Sequence, residues 1–531
     1  VTNQPPPLEG YDVFRADAAL AEAVGRYAGP GALDGLSALG RRAGSAEAQR
    51  WGVEANANPP VLRTHDRYGH RIDEVDFHPS WHALMDVAVG EGLHGSAWTA
   101  GPGGHVRRAA GFVVWSQVEA GHGCPVSMTY AAVPALRTDP VLAGLFEPGL
   151  TVPAYDPGLR APATKAGLLA GMGMTEKQGG SDVRGNTTRA DPLAADGEYL
   201  LTGHKWFCSA PMCDLFLVLA QAPGGLTCFV VPRVLPDGSR NTFRLQRLKD
   251  KLGNRSNASS EVELDGTWAL RLGDEGRGVR TIIEMVSATR LDCVLGSTAL
   301  MRAGVAQATH HAAHRRAFGG LLADKPLMQN VLADLAVEAE AATVLALRLA
   351  AAFDEDERDL RRLAVAVGKY WVCKRTPSVV GEALECLGGN GYVEESGLPR
   401  LYREAPLNSI WEGSGNVNAL DVLRALVREP AAVEAFRAEI ALSQGADRRL
   451  DAAADRLGKE LVAPDEGSAR RLVESMALVL QGALLVRHSP AYLADAFCAS
   501  RLTGDHGLAL GTLPPGLDTA AIVARATPTL P

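Results

Sequence analysis

Four long apolar-periodic segments near the middle of the chain constrain its fold more than any other feature. From Val279 to about Arg316, Gln329 to Phe353, Arg361 to about Leu387 and Val417 to Val427, apolar residues recur at helical spacing. Helices of this length in series bury their apolar faces against one another, which predicts a four-helix bundle. Upstream the pattern differs. Residues 1 to about 40 read as a Pro-rich extended arm and a short helical piece, the arm drifting or packing on a neighbouring subunit. Ala46 to about Gly171 reads as mainly helical, with breaks at Gly101-Pro-Gly-Gly104 and Gly121-His-Gly-Cys-Pro125. Near Met174 short β-type runs take over, among them Leu215–Ala220 and Leu226–Val231, separated by Asp-Gly and Pro-Gly turn signals. Pro430 ends the bundle, and a further helical segment closes in a Pro-rich tail. The expected fold class is α+β, mainly α, in four parts. These are an N-terminal arm and helical domain (1–173), a small antiparallel β-domain (174–278), the four-helix bundle (279–429) and a C-terminal helical domain (430–531).

Lys and Arg number 53 against 61 Asp and Glu, a formal charge of −8, so no global field draws the molecule to nucleic acid or acidic membrane. The eight cysteines are scattered without a Cys-x-x-Cys pair, which predicts reduced, mostly buried thiols and a cytoplasmic protein. Val1 reads as an alternative start codon taken literally. The first seven residues carry no basic-then-apolar signal, and no apolar run reaches membrane-spanning length.

Asn408-Ser-Ile-Trp-Glu-Gly-Ser-Gly-Asn416 is where the chemistry is expected. Glu412 stands between the apolar pair Ile410-Trp411 and a Gly-Ser-Gly loop that feeds a helix. Lost hydration there would raise the carboxyl pKa towards that of a general base, and the free N–H groups of the helix start would face an anion or a polar ring edge. The plain alternative is a helix N-terminus with Ser414 as cap and Glu412 as a favourable charge. Met174-Thr-Glu-Lys-Gln-Gly-Gly-Ser-Asp182 has the glycines and small polar groups of a ligand-contacting loop, without Walker or Rossmann spacing. Trp206, in Gly203-His-Lys-Trp-Phe-Cys-Ser209, is either a core residue or a stacking surface for a flat heteroaromatic ring. Gly388-Gly-Asn-Gly391 is either a helix C-cap or a close approach to a nucleotide. His310 and His314 share a helix face at i,i+4, but no Glu or Cys completes a ligand set, so no metal site is expected. With Arg315 and Arg316 they read better as a cationic helix end for a diphosphate.

In this order, Thr-Glu-x-x-x-Gly-Ser-Asp, Lys-Trp-Phe, the Arg-x-x-Phe-Gly of Arg315–Gly319, Leu-Gly-Gly-x-Gly-Tyr and Trp-Glu-Gly-Ser resemble the acyl-CoA dehydrogenase family. Phe77-His-Pro, Gln117-Val-Glu-Ala-Gly, the run from Leu248 to Ser259 and the added C-terminal domain resemble its alkylation-response branch. The resemblance implies a homotetramer binding FAD. Met174, Thr175, Gln178, Gly180 and Ser181 would contact the flavin or its phosphates, and Trp206, Phe207 and Cys208 would lie near the isoalloxazine. Arg315 and Phe318 would hold the nucleotide half across a subunit boundary. Gly388 and Gly389, with Trp411, Gly413, Ser414 and Asn416, would complete the envelope. Glu412, supported by Arg290, would be the base that takes the α-proton of an acyl thioester while hydride leaves the β-carbon for flavin N5. The other base position known in the family falls on Thr289, which leaves Glu412 as the candidate. Four positions depart from the family pattern: Cys208 replaces a Thr that supports flavin N5, Pro326 and Glu385 replace glutamines, and Trp411 replaces a Tyr.

Two functions compete at this stage. One is acyl-CoA oxidation, or oxidation of another small substrate. The other is a DNA-binding stress flavoprotein with little turnover, which the branch resemblance implies through the C-terminal domain binding double-stranded DNA. Residues 430–531 hold ten Lys/Arg and twelve Asp/Glu, so only an arranged face of Arg448, Arg449, Arg456, Lys459, Arg470 and Arg471 would serve. A second cationic run, Arg244, Arg247, Lys249, Lys251 and Arg255, falls in the β-domain.

Overall fold

The computed structural model describes residues 3–530; Val1, with its start-codon reading, lies outside the described residues. The chain divides into two compact units, each assembled from separate stretches: residues 1–49, 102–118 and 290–531 in one, and 50–101 and 119–289 in the other.

In the first unit, the bundle helices run close to their predicted bounds. They are Gly278–His314 (from residue 290 onward in this unit), Pro326–Asp354, Arg358–Cys386 and Gly415–Arg428. Pro326–Asp354 is buried continuously from Leu332 to Ala352: its Ala, Leu and Val residues pack on every side, and Asp334, Glu338, Glu340 and Arg348 are buried as ion pairs. Helix Gly104–Ser116 has a glycine at its N-cap, with no side chain to cap it. Asp354 substitutes, accepting from the His105 and Val106 N–H groups at 2.9 Å each. Its Arg108 forms a buried two-bond pair with Asp292. Beyond Pro430, helices Pro430–Ala441, Arg448–Glu460, Ala469–His488, Ala491–Phe497 and Thr519–Ala526 make up the C-terminal segment.

The N-terminal arm departs from expectation. From Asn3 onward it does not drift but packs on its own chain. Asn3 exchanges two 2.8 Å hydrogen bonds with the Arg316 backbone, and the Pro6 carbonyl lies 2.8 Å from His310 Nε2. Its prolines cannot supply ladder donors, so side chains and carbonyls make these contacts.

The second unit holds the sheet: β1 Val61–His65, β2 Arg71–Asp76, β3 Ala170–Gly173, β4 Arg189–Pro192, β5 Glu198–Ser209, β6 Leu215–Ala222, β7 Gly225–Pro232, β8 Phe243–Leu248 and β9 Ser259–Leu272. β1 and β2 form a separate hairpin inside the stretch expected to be mainly helical. Its alternating charged and apolar residues are too short a signal beside the strong helices around them. In the main sheet, pairing runs β6–β4–β5–β9–β7 and returns to β6, so the strands close into a ring with β3 and β8 attached. The sheet is not wholly antiparallel, since β3 pairs with β6 in parallel, Ala170 opposite Leu215. Closure pairs the ring strands on both sides, and both faces of the β6/β7 pair are fully buried, Leu217 and Leu219 on one and Phe229 and Val231 on the other. All eight cysteines are buried free thiols, and among the described residues no helix is long and apolar enough to cross a membrane.

Candidate active site

In the sheet unit, the loop after β3 is built around Glu176, which the sequence reading passed over. Its buried carboxylate accepts from Lys205 Nζ at 2.7 Å, the Thr187 N–H at 2.7 Å, the Thr188 N–H at 3.1 Å and Gln178 Nε2 at 2.7 Å. Burial alone would raise its pKa, but the Lys205 bond and the two threonines hold it well below the ordinary carboxylate range. Lys205 in turn donates to the Leu219 carbonyl on β6 at 2.7 Å. Gln178 is therefore partly engaged by Glu176, while Ser181 is exposed, and Met174 and Thr175 are half-buried. A Cβ at Gly180 would stand 2.4 Å from Thr175 Oγ1, so only glycine closes this turn.

Trp206 is half-buried and carries the Lys249 ammonium 3.4 Å from its ring centroid, with Lys177 and Arg247 at 5.7 and 5.8 Å. Lys249 also reaches the exposed Phe207 ring, at 4.6 Å. The β-domain cationic run is thus largely paired within the sheet. Arg247 and Lys249 share Glu261 at 2.7 Å each, Arg244 meets Asp265 at 2.9 Å, and Lys251 donates to Ser259 Oγ. Cys208 is fully buried, and burial pushes its thiol up to about 12, so it stays protonated at neutral pH.

In the bundle unit, Glu412 lies on the loop between the Leu407–Ser409 turn and helix Gly415–Arg428. Its φ is +57°, and Gly413 follows at +94°. A non-glycine residue in the left-handed region costs on the order of 1–3 kcal/mol and persists only where its surroundings enforce it. Here they do. Arg290 Nε donates to the Glu412 carbonyl at 3.2 Å, and its Nη1 pairs with Asp421 at 2.6 Å. Lys369 donates to the carbonyls of Trp411, at 2.8 Å, and Gly413. Asn418 Nδ2 donates to the Gly413 and Ser414 carbonyls at 2.6 and 3.1 Å. Asp421, shared by Arg290 and Arg362, is held below the ordinary range, burial being outweighed by the two guanidinium groups. Trp411 Nε1 donates to Asn408, which donates to Ser297 Oγ, which meets the Cys373 sulfur.

Two expectations for this loop change. Ile410 is 63% exposed and Glu412 half-buried, so the apolar pair does not enclose the carboxylate within one chain. Ser414 occupies the N-cap position, but its side chain makes no capping bond; Asn418 secures the turn instead. Lys369 and Asn418 escaped the sequence reading. The only signal for Lys369 was a lone charge inside the apolar run Leu363–Val372.

Elsewhere in this unit, Arg315 donates to the Asn3 carbonyl, and Phe318 is 91% exposed at φ +51°. Gly388 (φ +59°) and Gly389 begin a short 3-10 turn, with open space where a Cβ would stand at either. The His310 and His314 rings lie 4.4 Å apart, tilted by 47°, and among the described residues no His, Cys, Asp or Glu group of three could hold a metal ion. The expected cationic face of the C-terminal segment is interrupted. Arg449 is held by Asp447 and Asp495, Arg456 donates to the Leu502 carbonyl, and Arg470 donates to the Tyr370 hydroxyl.

Residues 3–157 match the adaptive response protein AidB N-terminal domain, 171–267 the acyl-CoA dehydrogenase middle domain and 276–427 the acyl-CoA dehydrogenase C-terminal domain. That succession defines the class as an FAD-dependent oxidoreductase with the acyl-CoA dehydrogenase fold. Over 519 residues, 96% of this chain and 95% of the relative, the sequence is 46% identical to AidB from Escherichia coli (strain K12). It is 32% identical over 496 residues to acyl-CoA dehydrogenase family member 11 of Caenorhabditis elegans, covering 86% of this chain and 80% of that protein. The structure of C. elegans ACDH-11 in complex with C11-CoA is similar at a TM-score of 0.84 and 27% identity, over 98% of this chain and 92% of that one. The chain belongs to the acyl-CoA dehydrogenase family, in its AidB branch.

Proposed function

We propose that the protein oxidises an acyl thioester, with Glu412 as the base that removes the α-proton. The observation carrying this reading is the enforced left-handed conformation of Glu412, whose own carbonyl and both neighbours' are fastened by Arg290, Lys369 and Asn418. A solvated charge at a helix start needs no such fastening; a base that must meet one C–H bond does. The C11-CoA bound by the C. elegans neighbour supports an acyl-CoA substrate of that general kind.

The residues fit FAD. Gly388 and Gly389 leave room for close backbone approach, Phe318 offers an exposed ring, and Trp206 lies beside the Gln178–Ser181 loop's sheet with three cations around it. Met174, Thr175, Gly180, Ser181 and Trp206, and likewise Arg315, Phe318, Gly388, Gly389, Ser414 and Asn416, are the residues proposed to hold the cofactor. FAD, when bound, supplies the acceptor for the substrate's β-hydride. Cys208, protonated and a weak donor, would support that acceptor less strongly than a hydroxyl. The four sequence segments 1–173, 174–278, 279–429 and 430–531, a homotetramer and a cytoplasmic location belong to the same reading.

Anaerobic titration of FAD-loaded protein with short, branched and medium-chain acyl-CoAs tests it through flavin absorbance. Bleaching that is lost in Glu412→Gln supports the reading. No bleaching by any acyl-CoA, with folded protein and bound flavin, overturns it in favour of the alternative, a DNA-associated stress flavoprotein. That alternative rests on the exposed Arg448, Lys459, Arg470 and Arg471.

A further inference from the structure

Lys369 lies on helix Arg358–Cys386 with 1% of its surface exposed, and its ammonium donates to two carbonyls, those of Trp411 and Gly413. These flank Glu412. An ammonium withdrawn from water is costly unless its N–H groups find acceptors. In this protein the acceptors belong to the loop carrying the proposed base. Any rearrangement that swings the Trp411 or Gly413 carbonyl away leaves a buried charge without its partners, so the loop and the ammonium lock each other. Arg290 holds the Glu412 carbonyl itself and Asn418 those of Gly413 and Ser414, but Arg290 is also tied to Asp421, and Asn418 lies on the helix that follows the loop. Lys369 reaches the loop from helix Arg358–Cys386 and holds one carbonyl before Glu412 and one after it.

We propose that Lys369 is a positioning residue for the oxidation: it fixes Glu412 in its left-handed conformation, by holding the carbonyls before and after it, so that the carboxylate is aimed before substrate arrives. The proposal rests on Glu412 being the base. It predicts an effect on the chemical step rather than on binding, because Lys369 is buried beneath the loop and makes no surface for a substrate.

The test compares FAD-loaded wild type with Lys369→Met, which removes every donor at similar volume, and Lys369→Gln, which keeps two N–H donors without the charge. Three quantities are read: the limiting rate of flavin reduction by an acyl-CoA that bleaches the wild type, the concentration giving half that rate, and hydrogen–deuterium exchange in a peptide spanning residues 406–418. Lys369→Met is expected to slow the limiting rate at least about 100-fold with half-saturation within about 3-fold, and to speed exchange in that peptide at least about 10-fold. Lys369→Gln is expected to fall between Met and wild type in both. Either variant, folded and flavin-loaded, with the wild-type rate and wild-type exchange overturns the proposal. A wild type that no acyl-CoA bleaches instead overturns the functional reading, and the exchange comparison still decides whether Lys369 holds the loop.

Discussion

Lys205 Nζ stands 2.7 Å from Glu176 Oε1, with both side chains withdrawn from solvent. The pair ties the loop after β3 to strands β5 and β6, since the same ammonium holds the Leu219 carbonyl. Removing one partner of a buried pair strands the other, at a typical cost of about 3–5 kcal/mol. Lys205→Met is therefore expected to lower urea-unfolding stability by that order and to weaken FAD retention. Unchanged stability would show that the loop stands without the pair.

Glu412→Gln keeps the side-chain volume and removes the base. A positioned base contributes roughly 10²–10⁴-fold. Stopped-flow flavin reduction should slow by at least 100-fold on that scale, with FAD content and melting temperature unchanged. A tenfold loss or less would argue for another proton acceptor.

Glu119 supplies a pH dependence. Its carboxylate is fully buried and accepts from Asn56 Nδ2 at 2.8 Å, Ser256 Oγ at 2.7 Å and the His122 N–H at 2.9 Å. Burial pushes its pKa up, but His122 and Ser256 outweigh it and bring it down to about 2, from 4.5. A carboxylate depressed on folding stabilises fully above its unfolded pKa, so this contribution is present above pH 4.5 and disappears as pH falls towards 2. Urea unfolding at pH 5.5 and 3.5 should show wild type losing more stability between the two than Glu119→Gln. Parallel losses would remove Glu119 as the cause.

Trp206 shares its ring with Lys249, a contact worth about 0.5–2 kcal/mol at partly desolvated sites. Lys249→Ala is expected to leave the fold intact and loosen the indole. The readouts are a shifted tryptophan emission in the apoprotein and a several-fold weaker FAD affinity. An unaltered affinity would place Trp206 away from the cofactor.

Arg449 separates structural from nucleic-acid roles in the C-terminal segment. Because Asp447 and Asp495 hold it, Arg449→Ala should lower the melting temperature by a few degrees and leave a salt-dependent DNA titration unchanged. Arg470→Ala/Arg471→Ala tests the exposed cations in the same titration. A reduced salt slope there would favour a DNA role, and a flat response would withdraw it.

Much of the fold was legible before any coordinate. Pro326–Asp354 and Arg358–Cys386 announce themselves because apolar periodicity over 29 residues has no competing reading. Hairpin β1/β2 did not, since a pair of short, half-exposed strands gives little alternation to count. The ordered motifs likewise singled out Glu412 and the residues proposed to meet the flavin, because each motif is one short run of sequence.

What sequence alone determined was the long bundle helices, the strands β5, β6, β7 and β9, and the family to which the motif order belongs. Those are local properties, written in spacing over a few turns. Tertiary structure decided which groups enforce them. Arg290 reaches the Glu412 carbonyl across 122 residues of chain and Lys369 reaches the Trp411 carbonyl across 42, while at the surface Arg449 pairs with Asp495. No periodicity encodes such meetings. They arise because packing brings buried donors to the nearest unsatisfied acceptors, and burial makes every alternative costly.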